Sequence, residues 1–94
     1  MELSKRPKRL DVLDAAVAAV QNREGVYGSP QYHFDEVAKM WSLLLGKKLA
    51  NEISAADVAM MMAGLKLVRL VNTPDHKDSQ VDLAGYASML REVV

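Results

Sequence analysis

The chain has 94 residues, of which 50% are hydrophobic, 12 are basic and 12 are acidic, so its formal charge is zero. This length fits a single domain, and the absence of net charge argues against a general nucleic-acid binder. The lack of cysteine excludes a disulfide framework and a thiolate metal site. No apolar run is long enough to span a membrane, and the N-terminus does not resemble a signal peptide. We therefore expect a soluble, cytoplasmic protein.

Residues 1–10 are predicted to form a flexible basic arm, and residues 11–94 a single helical domain. The arm carries four cations around a proline, a composition typical of a solvated terminal segment: Lys5, Arg6, Lys8 and Arg9. The first helix is predicted over residues 11–21, with Asp11 as its N-cap. Its apolar residues recur at spacings of three and four and predict a buried stripe: Leu10, Leu13, Val17 and Val20.

Residues 22–30 contain two glycines and a proline and are predicted to form a loop. Arg23 is a candidate for binding a phosphate through both of its terminal nitrogens. Tyr27 is a candidate for stacking on a base, although a position folded onto the core is the alternative. Gly28 would let a ligand approach the backbone closely.

The second helix is predicted over residues 31–45, with Pro30 in its first turn and Gly46 at its end. Its apolar residues predict a second buried stripe: Phe34, Val37, Trp41, Leu44 and Leu45. His33 and Glu36 are three residues apart and share another face of this helix. They are either a pair of metal ligands or an ordinary surface pair.

The third helix is predicted over residues 55–71, with Ser54 and Asp57 as a capping box. Asp57 is alternatively a carboxylate ligand. The helix is apolar nearly all round, which predicts that it is the central helix of a bundle. Gly64 lies in its middle, where glycine costs roughly 1 kcal/mol relative to alanine, and this indicates a close helix crossing.

The fourth helix is predicted over residues 76–92, with Asp75 as its N-cap. Asp78 and Asp82 lie one turn apart on the same face, where like charges repel each other. Something positive should therefore face them. Tyr86 lies one turn further on and could orient a carboxylate or stack on a ligand.

A short connection between the third and fourth helices predicts an antiparallel pair. Lys66 and Arg69, near the end of one helix, would then lie close to Asp78 and Asp82, near the start of the next. Two interpretations stay open. The four side chains form either a structural set of salt bridges or a site for phosphate and a metal ion.

The pattern as a whole predicts an all-α, four-helix bundle. A chain of this size with so much alanine, methionine and leucine has few ways to cover every apolar face. We therefore expect a homo-oligomer.

Three segments together resemble a family of short phage and prophage proteins of unknown function, over residues 12–87. They read Arg23…Tyr27-Gly28-Ser29-Pro30…Phe34…Trp41, then Asp57-Val58-Ala59…Lys66…Arg69, then His76-Lys77-Asp78-Ser79…Asp82-Leu83-Ala84-Gly85-Tyr86. The resemblance implies a protein of the host cell cytoplasm, if the chain is encoded by a phage.

The last segment is also similar to the all-α nucleoside triphosphate pyrophosphohydrolases of the MazG type. That resemblance implies a MazG-like bundle in which acidic residues on neighbouring helices surround magnesium. Its typical ExxE and ExxD motifs are absent from this chain. The corresponding candidates are Asp78 and Asp82 as catalytic and metal-binding residues, with Glu36 and Asp57 as further ligands to magnesium.

Three functions are consistent with these residues. The first is a MazG-like nucleotide-binding domain, whose catalytic form is a magnesium-dependent nucleotide pyrophosphohydrolase. The second is a protein that sequesters a nucleotide or nucleotide signal without catalysis, and the third is a helical protein–protein interaction module. In the first two, Arg23, Lys66 and Arg69 would bind phosphates, and Tyr27 or Tyr86 would contact the base.

Overall fold

The computed structural model describes residues 6–93, apart from the side chains of Glu24, Val26 and Tyr27. Within this part it contains no strand and four α-helices, which are α1 (Lys8–Tyr27), α2 (Pro30–Leu45), α3 (Ala55–Asn72) and α4 (Lys77–Met89). The predicted all-α class is thereby confirmed. None of the helices in the described part is long and apolar enough to cross a lipid bilayer. The first half of the predicted basic arm, residues 1–5, lies outside the described residues.

The first helix starts earlier than predicted, at Lys8. The Leu10 amide donates to the Pro7 carbonyl at 3.1 Å, and the fixed φ of a proline suits a helix start. Asp11 therefore lies inside the helix, so its predicted role as N-cap is wrong. Its carboxylate instead accepts a hydrogen bond from Arg6 at 2.7 Å.

The first helix also ends later than predicted, at Tyr27, so the predicted loop over residues 22–30 is wrong for most of its length. Gly25 continues the helix, because a glycine weakens helical geometry without forbidding it. The break comes at Gly28, whose φ of 76° lies in the left-handed region typical of the residue after a helix. Only Gly28 and Ser29 separate α1 from α2.

The predicted ranges of α2 and α3 are confirmed to within one residue at each end. Ser29 caps α2 by accepting the Tyr32 amide at 3.3 Å. The predicted capping box of α3 is present in both directions. The Asp57 amide donates to the Ser54 hydroxyl at 3.1 Å, and the Ser54 amide donates to the Asp57 carboxylate at 3.0 Å. Polar caps therefore fix where both helices begin.

The N-cap of α4 is His76 rather than the predicted Asp75. The His76 Nδ1 atom accepts the Ser79 amide at 3.2 Å and lies 2.8 Å from the Ser79 hydroxyl. An imidazole acceptor satisfies a free amide of the first turn just as a carboxylate would, which leaves Asp75 exposed in the preceding turn. The helix ends at Met89, where a 3-10 turn over Leu90–Glu92 replaces the last predicted turn.

The fourth helix lies against both α1 and α3, and α2 packs against α3. The turn between α3 and α4 spans residues 73–76, which is short enough to return the chain antiparallel, as predicted. The core lies where α2, the first half of α3 and the end of α4 meet, and it consists of Phe34, Ala38, Ala55, Val58, Ala59, Met89 and Val93.

The helices form an elongated array rather than a closed bundle. The principal dimensions are 57 × 31 × 19 Å and the radius of gyration is 15.6 Å. A compact domain of this length would have a radius of gyration of about 12 Å. The extended shape leaves several helix faces without a partner among residues 6–93.

Two of the predicted buried stripes are therefore wrong in part. On α1, Leu13 and Val17 are 52% and 57% exposed, and on α2, Leu44 is 73% exposed. The prediction that α3 is the central helix holds only for its first half. Its second half is largely exposed, and the described residues place no atom within 4 Å of the position that a Cβ at Gly64 would occupy. The close crossing predicted at Gly64 is thus not made within the described chain.

We expect Phe34→Ala to lower the free energy of unfolding by about 3–5 kcal/mol, because a buried ring is replaced by a cavity. Phe34 is 2% exposed. Tyr32→Ala on the same helix removes a ring that is 63% exposed and should cost less than about 1 kcal/mol. Urea denaturation followed by circular dichroism measures both changes, and equal losses would contradict the placement of this core.

Candidate functional site

The first part of the site is an ion pair between α3 and α4. Lys66 Nζ lies 3.1 Å from Asp82 Oδ2, and the two side chains are 26% and 44% exposed. The antiparallel turn between the helices brings these residues together, as the sequence indicated. A pair this exposed stabilises a fold by no more than about 1 kcal/mol. The fold therefore does not depend strongly on this pair, and both Lys66 and Asp82 could bind a ligand instead.

Arg69 lies one turn beyond Lys66 on α3 and reaches the cap of α4. Its Nη2 atom is 3.5 Å from His76 Nε2. Because His76 Nδ1 accepts the Ser79 amide, the neutral ring carries its proton on Nε2. Two donors then face each other, so this is a contact and not a hydrogen bond. The guanidinium donors of Arg69 stay available to an anion.

Asp78 lies in the first turn of α4, exposed, where a negative charge suits the helix dipole. It shares a groove of about 450 Å³ with Asp82, and α3 forms the opposite wall. The residues that line this groove are Leu65, Lys66, Val68, Arg69, Asn72, His76, Asp78, Ser79 and Asp82. The described residues include no ion-pair partner for Asp78. The two carboxylates and the two cations that the sequence singled out are thus brought to one groove.

A second cavity, of about 320 Å³, lies on the other side of α4, against α1. Its wall is mostly apolar, with polar groups from Asn22, Arg23, Asp82 and Tyr86. Asp82 lines both this cavity and the α3–α4 groove. Asp82 is therefore part of the wall of both spaces, and we call them together the α4 groove.

Phe34, which the sequence predicts only as part of the core, lies between Arg23 and Tyr86. The Arg23 guanidinium carbon lies 5.2 Å from the centre of the Phe34 ring, a distance typical of a cation–π interaction. The Phe34 and Tyr86 ring centres are 6.3 Å apart and tilted by 40°. Arg23 is therefore held on the last turns of α1 and not on a loop. The spacing of Phe34 on α2 gave no signal of this contact.

Two of the predicted magnesium ligands lie elsewhere. The carboxylate of Glu36 accepts a hydrogen bond from the Tyr32 hydroxyl, one turn away on α2, and this raises the pKa of Tyr32. Asp57 is held in the capping box at the start of α3. Lys66 is nine residues further along the same helix, about 13 Å at the rise of an α-helix. The predicted role of the Tyr27 side chain lies outside the described residues.

Asp78 and Asp82 could hold a magnesium ion only together with a bound phosphate compound. Asp78 and Asp82 supply two carboxylates one turn apart, and protein-bound Mg²⁺ is often held by one or two carboxylates together with substrate phosphates. Among residues 6–93, no group of three or more histidine, aspartate or glutamate side chains could hold a metal. Magnesium would thus need oxygen ligands from a bound phosphate compound.

These features define an all-α domain with a polar groove on one side of α4 and a mostly apolar cavity on the other. A family model described as "Domain of unknown function (DUF6378)" matches residues 11–94, and the chain belongs to this family.

Two phage proteins are similar over much of the chain. The Gene 55 protein of Mycobacterium phage D29 is 39% identical over 67 residues, which cover 71% of this chain and 42% of the phage protein. The Gene 55 protein of Mycobacterium phage L5 is 34% identical over 67 residues, with coverages of 71% and 41%. The chain thus spans about two fifths of the length of these relatives. No solved structure matches it.

The predicted resemblance to phage proteins of unknown function is confirmed by these matches. The resemblance to MazG-type pyrophosphohydrolases stays a prediction.

We expect Asp57→Asn to destabilise the protein at neutral pH and to have less effect as the solution becomes acidic. Hydrogen bonds from the Ser54 amide and then the Ser54 hydroxyl lower the pKa of Asp57 below its ordinary value of 3.8. The carboxylate therefore stabilises the fold fully above pH 3.8, and this contribution is lost as the pH falls through the lower pKa of the folded state. Thermal melts across the acidic range measure the difference from the wild type.

Asp75→Asn is the matched control, because Asp75 is exposed and lies outside the helices. It should change the melting temperature little at any pH. A loss for Asp57→Asn that stays constant down to strongly acidic pH would contradict the capping role.

Proposed function

We propose that this domain binds a nucleotide, or a related small molecule that carries phosphate, in the α4 groove. The observation that carries the proposal is the position of Asp82. It lines both a groove with two cations, Lys66 and Arg69, and a mostly apolar cavity that contains Tyr86. A ligand that spans both spaces would have one anionic part and one flat, apolar part, and a nucleotide has this construction.

The charges of the groove support an anionic ligand. Arg23, Lys66 and Arg69 supply three positive charges against two from Asp78 and Asp82. Arginine suits phosphate because its planar fork of donors matches two oxygens at once. Lysine acts as a point charge, and a phosphate arriving at Lys66 would compete with Asp82 for it.

The apolar side of the groove supports a ring-shaped group. Tyr86 lines the cavity with Val20, Val81 and Met89, and aromatic faces stack on bases of every kind. The cavity volume of about 320 Å³ lies at the small end of the range for ligand sites. It would hold a base, while the phosphates would extend past Asp82 towards Arg69.

Binding is better supported than hydrolysis. Asp78 and Asp82 would hold magnesium together with ligand phosphates, and the ion would neutralise phosphate charge and activate a water molecule. Glu36 and Asp57 lie away from this position, so the four-carboxylate set of the MazG type is not assembled within the described chain. We therefore propose a nucleotide-binding or nucleotide-sequestering domain of the host cytoplasm, with pyrophosphate release as the catalytic alternative.

A protein–protein interaction module is the second candidate function. It is favoured by the large apolar side chains that α3 leaves exposed. In that case the Lys66–Asp82 pair only fixes the register of α3 against α4. The homo-oligomer that the composition predicts is part of this candidate and is compatible with nucleotide binding.

We expect Arg69→Ala to weaken the binding of ATP about ten- to hundredfold, because it removes a charge-assisted hydrogen bond to phosphate. Lys47→Ala is the matched control, since it removes an exposed cation in the turn after α2. Isothermal titration calorimetry with ATP and other nucleoside triphosphates, each with and without magnesium, measures both. Equal effects of the two changes, or no binding by the wild type, would contradict the proposal.

Asp82→Asn distinguishes the three functions, because the expected effects differ in sign. If the carboxylate holds magnesium, the change should abolish magnesium-dependent pyrophosphate release and weaken the binding of Mg-ATP. If the groove binds nucleotide without metal, the loss of a negative charge should leave the affinity unchanged or raise it. If the pair is only structural, stability falls by up to about 1 kcal/mol and nucleotide has no effect. Unchanged pyrophosphate release would exclude Asp82 as a catalytic residue.

A further inference from the structure

Residues 60–71 of α3 carry an apolar face that no part of the described chain covers. Its large side chains are between 48% and 81% exposed, and they are Met60, Met61, Leu65, Leu67, Val68 and Val71. Positions 60, 64, 67 and 71 follow the spacing of one helix face. Lys66, which pairs with α4, lies on the opposite side. We call this exposed surface the α3 face.

The surface of the whole chain, to which exposed apolar side chains of α1 and α2 also contribute, is larger than a compact monomer would have. The accessible surface is 7011 Å², whereas a folded monomer of 10.4 kDa should expose about 5400 Å². The six residues outside the described part, even if fully exposed, could supply only about 1000 Å² of the difference at the area per dalton of an unfolded chain. Roughly 600 Å² or more remains, close to the ~800 Å² that each partner contributes to a standard interface.

We propose that a second copy of this chain covers the α3 face, with the two α3 helices antiparallel and crossing between Gly64 and Leu67. The face has the symmetry that such a pairing requires. In a two-fold symmetric interface, if one residue of the first copy contacts another residue of the second copy, the same two residues are also in contact with the copies exchanged. An antiparallel register that sets Met60 against Val71 of the second copy also sets Gly64 against its Leu67. Both pairs are centred on the same point of the helix, between Leu65 and Lys66. In the second pair the small Gly64 meets the large Leu67.

Gly64 supports the position of the crossing. Glycine is a poor helix former, yet it lies in the middle of an unbroken helix of 18 residues. Within the described chain, no atom lies within 4 Å of the place where its Cβ would be. Nothing in the described part of the chain therefore uses the space that the missing side chain leaves. A second α3 helix would use it, because glycine lets two helix backbones approach closely.

The charge of the α3 face also favours a second copy. The only charged residues between positions 60 and 71 are Lys66 and Arg69, and both line the groove towards α4. The face is therefore uncharged, so two copies can meet without repulsion. Leu65 and Val68 belong both to this face and to the wall of the α4 groove. A second copy on the face would thus border the mouth of the groove.

Sedimentation equilibrium of the full chain at micromolar concentration tests the proposal, and it needs no ligand. The wild type should be a dimer. Leu67→Glu should raise the dissociation constant at least about tenfold, because a charge would be buried in an apolar interface. Leu13→Glu is the matched control, since Leu13 on α1 is also 52% exposed, and this variant should stay dimeric. Circular dichroism confirms that each variant is folded.

Gly64→Ala gives a second test that does not depend on an inserted charge. An added methyl group at the crossing should weaken the dimer, although alanine is the better helix former. A monomeric wild type, equal weakening by Leu67→Glu and Leu13→Glu, or a Gly64→Ala variant that melts higher and associates unchanged would each overturn the proposal. A wild type that stays monomeric and binds a hydrophobic dye would assign the α3 face to a different partner.

Discussion

The structure depends on the placement of α4 between α1 and α3. Four residues of this helix are buried, namely Ser79, Val81, Gly85 and Met89, and they hold it against both neighbours. The His76 cap fixes where α4 starts. Because Asp82 lies six residues after His76, this start also sets the position along α3 at which Asp82 meets Lys66. The groove on either side of α4 follows from that single position. A shift of α4 by one turn would separate the cations of α3 from Asp82 and Tyr86.

The same arrangement explains why the protein has so little core. Four helices of this length can bury each other fully only in a closed bundle, and here they form an elongated array. The buried cluster forms around Phe34 and Val58 at one end. In the part of the chain that the structure describes, the second half of α3 has neighbours on one side only. An uncovered apolar face and an accessible polar groove are therefore two consequences of one shape.

Much of the fold could be predicted from local chemistry. Pro30, Gly46 and the Ser54–Asp57 capping box are signals within the helix ends themselves, and they located α2 and α3 correctly. The end of α1 was missed because Gly25 weakens a helix without ending it. Burial could be predicted less well. A three-and-four spacing shows that a helix has an apolar face, but not whether the same chain covers it, and Val17 is exposed for that reason.

The site could be predicted where it depends on helix pairing. The short turn after α3 was enough to bring Lys66 and Asp82 together. The contact of Arg23 with Phe34 depends on how α1 crosses α2, and residue spacing does not encode a crossing angle. The cap on His76 has no such signal, because histidine is not among the commonly preferred N-cap residues and the neighbouring Asp75 is.

The central claim is that one ligand occupies both sides of α4. Amide chemical-shift mapping by NMR, with Mg-ATP added to the ¹⁵N-labelled full chain, tests it most directly. The claim predicts that the shifts concentrate at residues 22–23, 66–69 and 78–86, three segments that contribute to the walls of the α4 groove. Shifts that spread evenly over the exposed cations, or that cluster on α2 away from this groove, would contradict it.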